Sequence, residues 1–149
     1  GMIAVEIAKT LELKAVILIS SIKTVDKAPW FFHLFRWLPV YKIIPFSLIT
    51  HIVKYITPIF GRMTAAEKKM FLNMLNSSSP LFIKWSMAAA LHWKNKIIPA
   101  NLYHIAGDAD LIFDYRRIKN AAIVKGGTHI MIFDRADEIN QWLKPILEK

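Results

Sequence analysis

The stretch that decides the fold runs from Asn101 to His129 and reads NLYHIAGDADLIFDYRRIKNAAIVKGGTH. It holds two short apolar runs, Asn101–Ala106 (NLYHIA) and Ala121–Lys125 (AAIVK), each followed by glycine. Both read as strands, the first of them buried. Between them, Gly107–Asp114 is an acidic turn, and Asp114 can cap a short helix through Asn120. Strand, helix, strand in this order implies parallel pairing with a right-handed crossover. Just past the first strand stand Gly107-Asp108-Ala109-Asp110, and just past the second stand Gly126-Gly127-Thr128-His129. Ligand sites of open parallel sheets lie beyond the carboxyl ends of the strands, which is where these acids and this histidine fall.

Outward from that stretch the same alternation continues. Asp134 reads as the cap of a final helix with Ile139, Trp142, Leu143 and Ile146 on one face, and Pro145 should bend its end. Upstream, Lys14–Ser20 (KAVILIS) is a third apolar run of strand length. Met2–Leu13 has Ile3, Ala4, Ile7, Ala8 and Leu11 at helical spacing, which predicts a helix buried on that face. In the aromatic segment 22–62, Pro29, Pro39, Pro45 and Pro58 should limit helices to short pieces. Thr64 and Glu67 form a capping-box pattern opening a helix to Leu75. Ser79 and Pro80 read as cap and first residue of another helix, ending near Lys94. The expected fold class is α/β: three parallel strands at 14–20, 101–106 and 121–125, flanking helices, and a helical insertion at about 22–94.

A chain of 149 residues suits one domain. It is 54% hydrophobic and 21% charged, against a usual charged share of about 25%, so the apolar excess implies a deep core or a surface that something else covers. Without cysteine there is no disulfide and no thiolate metal site. Glu6, Lys9, Glu12 and Lys14 interrupt residues 2–20, which argues against a signal peptide there, and no run of about 18 uncharged apolar residues predicts a membrane span. The net charge of +9 is unevenly placed. From Lys27 to Ala66 there is no acidic residue, while seven of the eleven acids lie beyond Asn101. The basic stretch is rich in Trp, Phe, Ile and Leu, which points to lipid or core rather than to nucleic acid and leaves peripheral membrane contact open. A cytoplasmic location is the expectation.

The segments HIAGDADLIF and IVKGGTHIMIFDRADEINQWL resemble the closing half of α/β-hydrolase-fold proteins. The opening GMIAVEIAKTLELKAVILISS resembles the helix and strand that come after the nucleophile elbow in that family. The resemblance implies a single partial α/β-hydrolase domain over 1–149, with the insertion as its cap. It implies Asp110 as the catalytic acid and His129 as the base, with Asp108 as the alternative acid. Phe113 stands where the family usually has proline. The family's nucleophilic serine would sit about three residues before Gly1, if Gly1 is the second glycine of the elbow. The chain holds no Gly-x-Ser-x-Gly, so these 149 residues alone are expected to be inactive. The implied activity is serine esterase- or lipase-like hydrolysis of a hydrophobic acyl compound, with no cofactor and no metal.

Plainer readings stand beside each of these. Asp110 can cap a turn and His129 can be a loop histidine. Ser20 and Ser21 lie at a strand end without the strand–turn–helix setting that exposes a nucleophile, and read as structural. His33, His51, His92 and His104 lack ligand spacing for a metal. The competing function is a non-catalytic interaction module that uses an exposed sheet edge. A homo-oligomer, a dimer before others, is expected through strand 14–20, helix 2–13 or the cap.

Overall fold

The computed structural model describes residues 1–148, and within the helix spanning 46–60 it leaves out the side chains of 46, 47, 49, 50, 53, 54 and 56. The backbone divides into two compact units. Gly1–Ala28 with Lys94–Lys149 forms a sheet unit, and Pro29–Trp93 forms a helical unit.

The sheet unit contains α1 (Met2–Ile7), β1 (Val16–Ile19), β2 (Leu102–Gly107), β3 (Ala122–Val124), α7 (Met131–Asp134) and α8 (Ala136–Leu147). The helical unit contains α2 (Trp30–Trp37), α3 (Val40–Ile43), α4 (Phe46–Phe60), α5 (Ala65–Ser77) and α6 (Pro80–Leu91). The strands form a parallel sheet in the order β1-β2-β3, as the alternation of the sequence predicts. Ile19 pairs with Ile105, and Ile105 pairs with Ala122. These three therefore share one face. Ile105, Val124, Met131 and Ile139 make a buried cluster, with Ile19, Ala122 and Trp142 packed against it. The helix α8 thus turns inward the face its sequence marks. On the other face, Val16 and Leu18 of β1 are buried, as are His104 and Ala106 of β2. Coverage stops at β3, where Ile123 is exposed.

Several expectations are corrected. The helix expected over 2–13 ends at Ile7, where the Thr10 hydroxyl donates to the Ile7 carbonyl in a turn that replaces further helix. Its buried residue is Val5, while Ile3, Ile7 and Leu11 are exposed. At its start Gly1 lies so near Ser21 that a Cβ there would collide with the Ser21 side chain. Asp134 ends α7, and Arg135 precedes α8. Asp134 is therefore not the cap of the last helix.

In the helical unit, the Thr64–Glu67 capping box forms, with the Thr64 N–H donating to Glu67 Oε2 at 2.7 Å and the Glu67 N–H to Thr64 Oγ1 at 3.3 Å. Pro80 opens α6 as expected, although Ser79 adds no side-chain bond. The 15-residue α4 is longer than the prolines suggested. Pro58 sits in its last turn, where it removes one helical hydrogen bond instead of interrupting a run of them. The α2–α6 pair is fastened by Arg36, which donates to the Leu91 carbonyl from Nε at 2.8 Å and from Nη2 at 2.5 Å. Along α4, Leu48, Ile52, Tyr55 and Ile59 recur on one exposed face. No helix of the described residues is long and apolar enough to cross a membrane.

Candidate active site

Because the strands are parallel, the residues just past β1, β2 and β3 emerge at one end of the sheet. Ser20 comes directly after β1, Asp110 lies three residues beyond β2, and His129 lies five beyond β3. The structure brings Asp110 and His129 together, with His129 Nδ1 3.1 Å from Asp110 Oδ2. The other carboxylate oxygen is held by the backbone. Ile112 N–H donates to Asp110 Oδ1 at 2.7 Å and Phe113 N–H at 3.0 Å. The Asp110 side chain is 1% exposed and that of His129 is 22% exposed. The acid is thus sealed and aimed by its own turn, while the imidazole keeps some access to solvent.

An ionised carboxylate only accepts hydrogen bonds, so Nδ1 is the nitrogen that carries hydrogen. In the neutral ring the lone pair then sits on Nε2. Phe113 packs edge-on against the imidazole, with ring centroids 5.3 Å apart and planes at 64°. The ring is therefore held by a hydrogen bond on one side and an aromatic edge on another.

Asp108 takes a different task. Its Oδ1 accepts the Gly126 N–H at 2.5 Å, in the turn that leads to His129. Two backbone bonds join the same loops: Asp108 N–H to the Val124 carbonyl at 3.2 Å, and Ala109 N–H to the Gly127 carbonyl at 2.9 Å. Asp108 is thus fastened to Gly126, and Asp110 is the acid paired with the histidine. The loops meet so closely that a Cβ at Gly107 would strike the Gly127 carbonyl. Gly126 has φ +71°, in the left-handed region that glycine enters without cost.

Ser20 also has a positive φ, +45°, and is buried at the end of β1. Its hydroxyl donates to the Thr128 carbonyl at 3.2 Å, beside His129. That bond ties β1 to the histidine loop. Ser21 accepts the His104 ring Nε2–H on its carbonyl at 3.0 Å. His104 is 3% exposed, and burial, with the Lys23 ammonium adding to it, pushes its pKa down to about 4 against the opposing pull of the Ser21 carbonyl. It is a neutral interior histidine, apart from the Asp110–His129 pair. Lys23 is itself buried and lowered by desolvation, and its ammonium donates to the Lys119 carbonyl at 2.5 Å. Among the described residues no group of three or more His, Asp or Glu side chains is placed to hold a metal ion.

The sequence singles out Asp110 and His129, and the structure places them in hydrogen-bond contact. Sequence reasoning missed the ring contact of Phe113, the clamp made by Asp108 and the Ser20 tether. The Gly-Gly at 126–127 was the one visible sign of a close approach. An aspartate, a histidine held by it, and a tether from the neighbouring strand end can orient a base and stabilise its protonated form. Comparison with known proteins adds nothing to this geometry: no family model, no curated protein and no solved structure matches the chain.

Proposed function

We propose that Asp110 and His129 are the acid and base of a serine hydrolase of the α/β-hydrolase type, whose nucleophile is carried by a segment preceding Gly1. The observation that carries this reading is the Asp110–His129 hydrogen bond, formed just beyond the carboxyl ends of adjacent parallel strands. In the cycle, His129 Nε2 takes the proton of the attacking serine hydroxyl. Asp110 holds the tautomer and stabilises the imidazolium through Nδ1–H, and the proton then passes to the leaving group. The close fit of Gly1 against Ser21 accords with a glycine that closes an elbow, since a side chain there would collide with that of Ser21. The substrate class is a hydrophobic acyl compound, such as an ester.

A second reading has one observation in its favour. The edge of β1 opposite β2 carries no strand among the described residues. A β1 edge that pairs with a second copy would give a dimer or a non-catalytic interaction module.

The experiment that separates the two is fluorophosphonate labelling with mapping of the labelled peptide. The 149 residues alone should neither label nor hydrolyse p-nitrophenyl esters. The reading frame upstream of Gly1 should encode Gly-x-Ser-x-Gly, and that serine should label in the longer product. Label on Ser20 or Ser21 would overturn the assignment of the nucleophile. An upstream frame without the elbow would favour the interaction module.

A further inference from the structure

We propose that the Pro29–Trp93 unit docks this protein on an anionic lipid surface, with α2 lying in the headgroup layer. On α2, Trp30, Leu34 and Trp37 recur at i, i+4 and i+7 and so share one face. That face is turned out, with Trp30 73% and Trp37 81% exposed. Arg36 lies off that face and bonds the Leu91 carbonyl. On α6, which α2 packs against, Leu81, Phe82 and Trp85 are exposed as well. Four of the five tryptophans of the chain lie in this unit. Tryptophan is the residue that settles at the boundary between headgroup and acyl chain, where its ring is apolar and its N–H stays wet.

Charge selects the occupant. Residues 29–93 carry seven Lys or Arg against the single Glu67, whereas the remainder carries 13 basic and ten acidic residues. Exposed aromatic side chains on a strongly basic body are the pattern of an interfacial anchor for acidic lipid. A second copy of the same unit would bring like charge against like charge and is disfavoured. A surface potential from anionic lipid instead strengthens binding by about fivefold for each basic side chain near the surface. The inference is independent of the hydrolase reading.

The test is co-sedimentation of the full chain with vesicles of phosphatidylcholine, alone or mixed with phosphatidylglycerol. Binding should need the anionic lipid. It should weaken sharply as salt rises from about 0.1 M to about 1 M, where the screening length falls from about 10 Å to about 3 Å. The double variant W30A/W37A should bind about tenfold or more weakly, from the apolar area it withdraws. Both residues are exposed, so the fold should survive, and circular dichroism checks that it does. Lipid-borne bromine should quench the fluorescence of the wild-type chain more than that of the variant. A folded chain that ignores anionic vesicles would overturn the proposal, as would binding equal on neutral and anionic vesicles or unchanged by salt. A dimer in light scattering that W30A/W37A dissociates, without vesicle binding, would assign the surface to a second copy instead.

Discussion

Replacing Asp110 by alanine and by asparagine should separate the two jobs of that carboxylate. The alanine removes acceptors for Ile112 N–H, Phe113 N–H and His129 Nδ1–H together. Phe113 is buried, so its orphaned N–H costs about 1–3 kcal/mol. Ile112 is half-buried, so its share is about half of that. With about 1 kcal/mol for the lost bond to histidine, the total comes to about 4 kcal/mol. The asparagine keeps Oδ1 for the two backbone donors and changes only the group facing the imidazole, so its cost should be about 1 kcal/mol. Urea unfolding followed through the methyl NMR signals of Ile105 and Ile139 reads the sheet unit by itself. An alanine variant as stable as the asparagine variant would refute the reasoning, because the turn would then not depend on Oδ1.

The same geometry sets further outcomes. The His104 pKa of about 4 lies below its ordinary value of 6.5, so the unfolded chain takes up that proton first. The stability His104 lends is complete above about pH 6.5 and is lost as pH falls toward 4, by roughly 2–3 kcal/mol, and H104Q should flatten that dependence in acid unfolding curves. Gly107→Ala drives a Cβ into the Gly127 carbonyl and should cost about 1–3 kcal/mol, seen as a fall in Tm of about 5 °C. Asp108→Ala releases Gly126 N–H in an exposed turn and should cost no more than about 1 kcal/mol, with the His129 resonances shifted as its loop loosens. Glu67→Ala opens half of the capping box and should lower the stability of α5 by about 1 kcal/mol, measured by amide exchange over its first turn.

The parts of the fold that could be read in advance are those with one physical solution. Apolar runs such as KAVILIS and NLYHIA, too short for helices and lacking alternation, have nowhere to go but a covered parallel sheet. Asp110 and His129 were legible because they stand a few residues past such runs. The preference for Asp110 over Asp108 came from the family resemblance alone, since two residues in one turn differ only in where the backbone aims them. The inward face of α1 escaped for a related reason. A helix of 6 residues spans under two turns, too few for its periodicity to fix one inward face. Pro58 does not shorten α4, because a proline in the last turn loses little. The exposure of Ile123 could not be read at all, because coverage of β3 depends on what lies across the sheet.

The account rests most heavily on Asp110 fixing His129 with hydrogen on Nδ1, and long-range proton–nitrogen NMR of the imidazole near neutral pH tests that directly. In the wild-type chain the neutral ring should carry hydrogen on Nδ1 and the lone pair on Nε2. In D110N, whose amide can turn its N–H toward the ring, the hydrogen should move to Nε2. A wild-type His129 with hydrogen on Nε2, or a tautomer indifferent to the D110N change, would contradict the assignment of Asp110 and His129 as an acid–base pair.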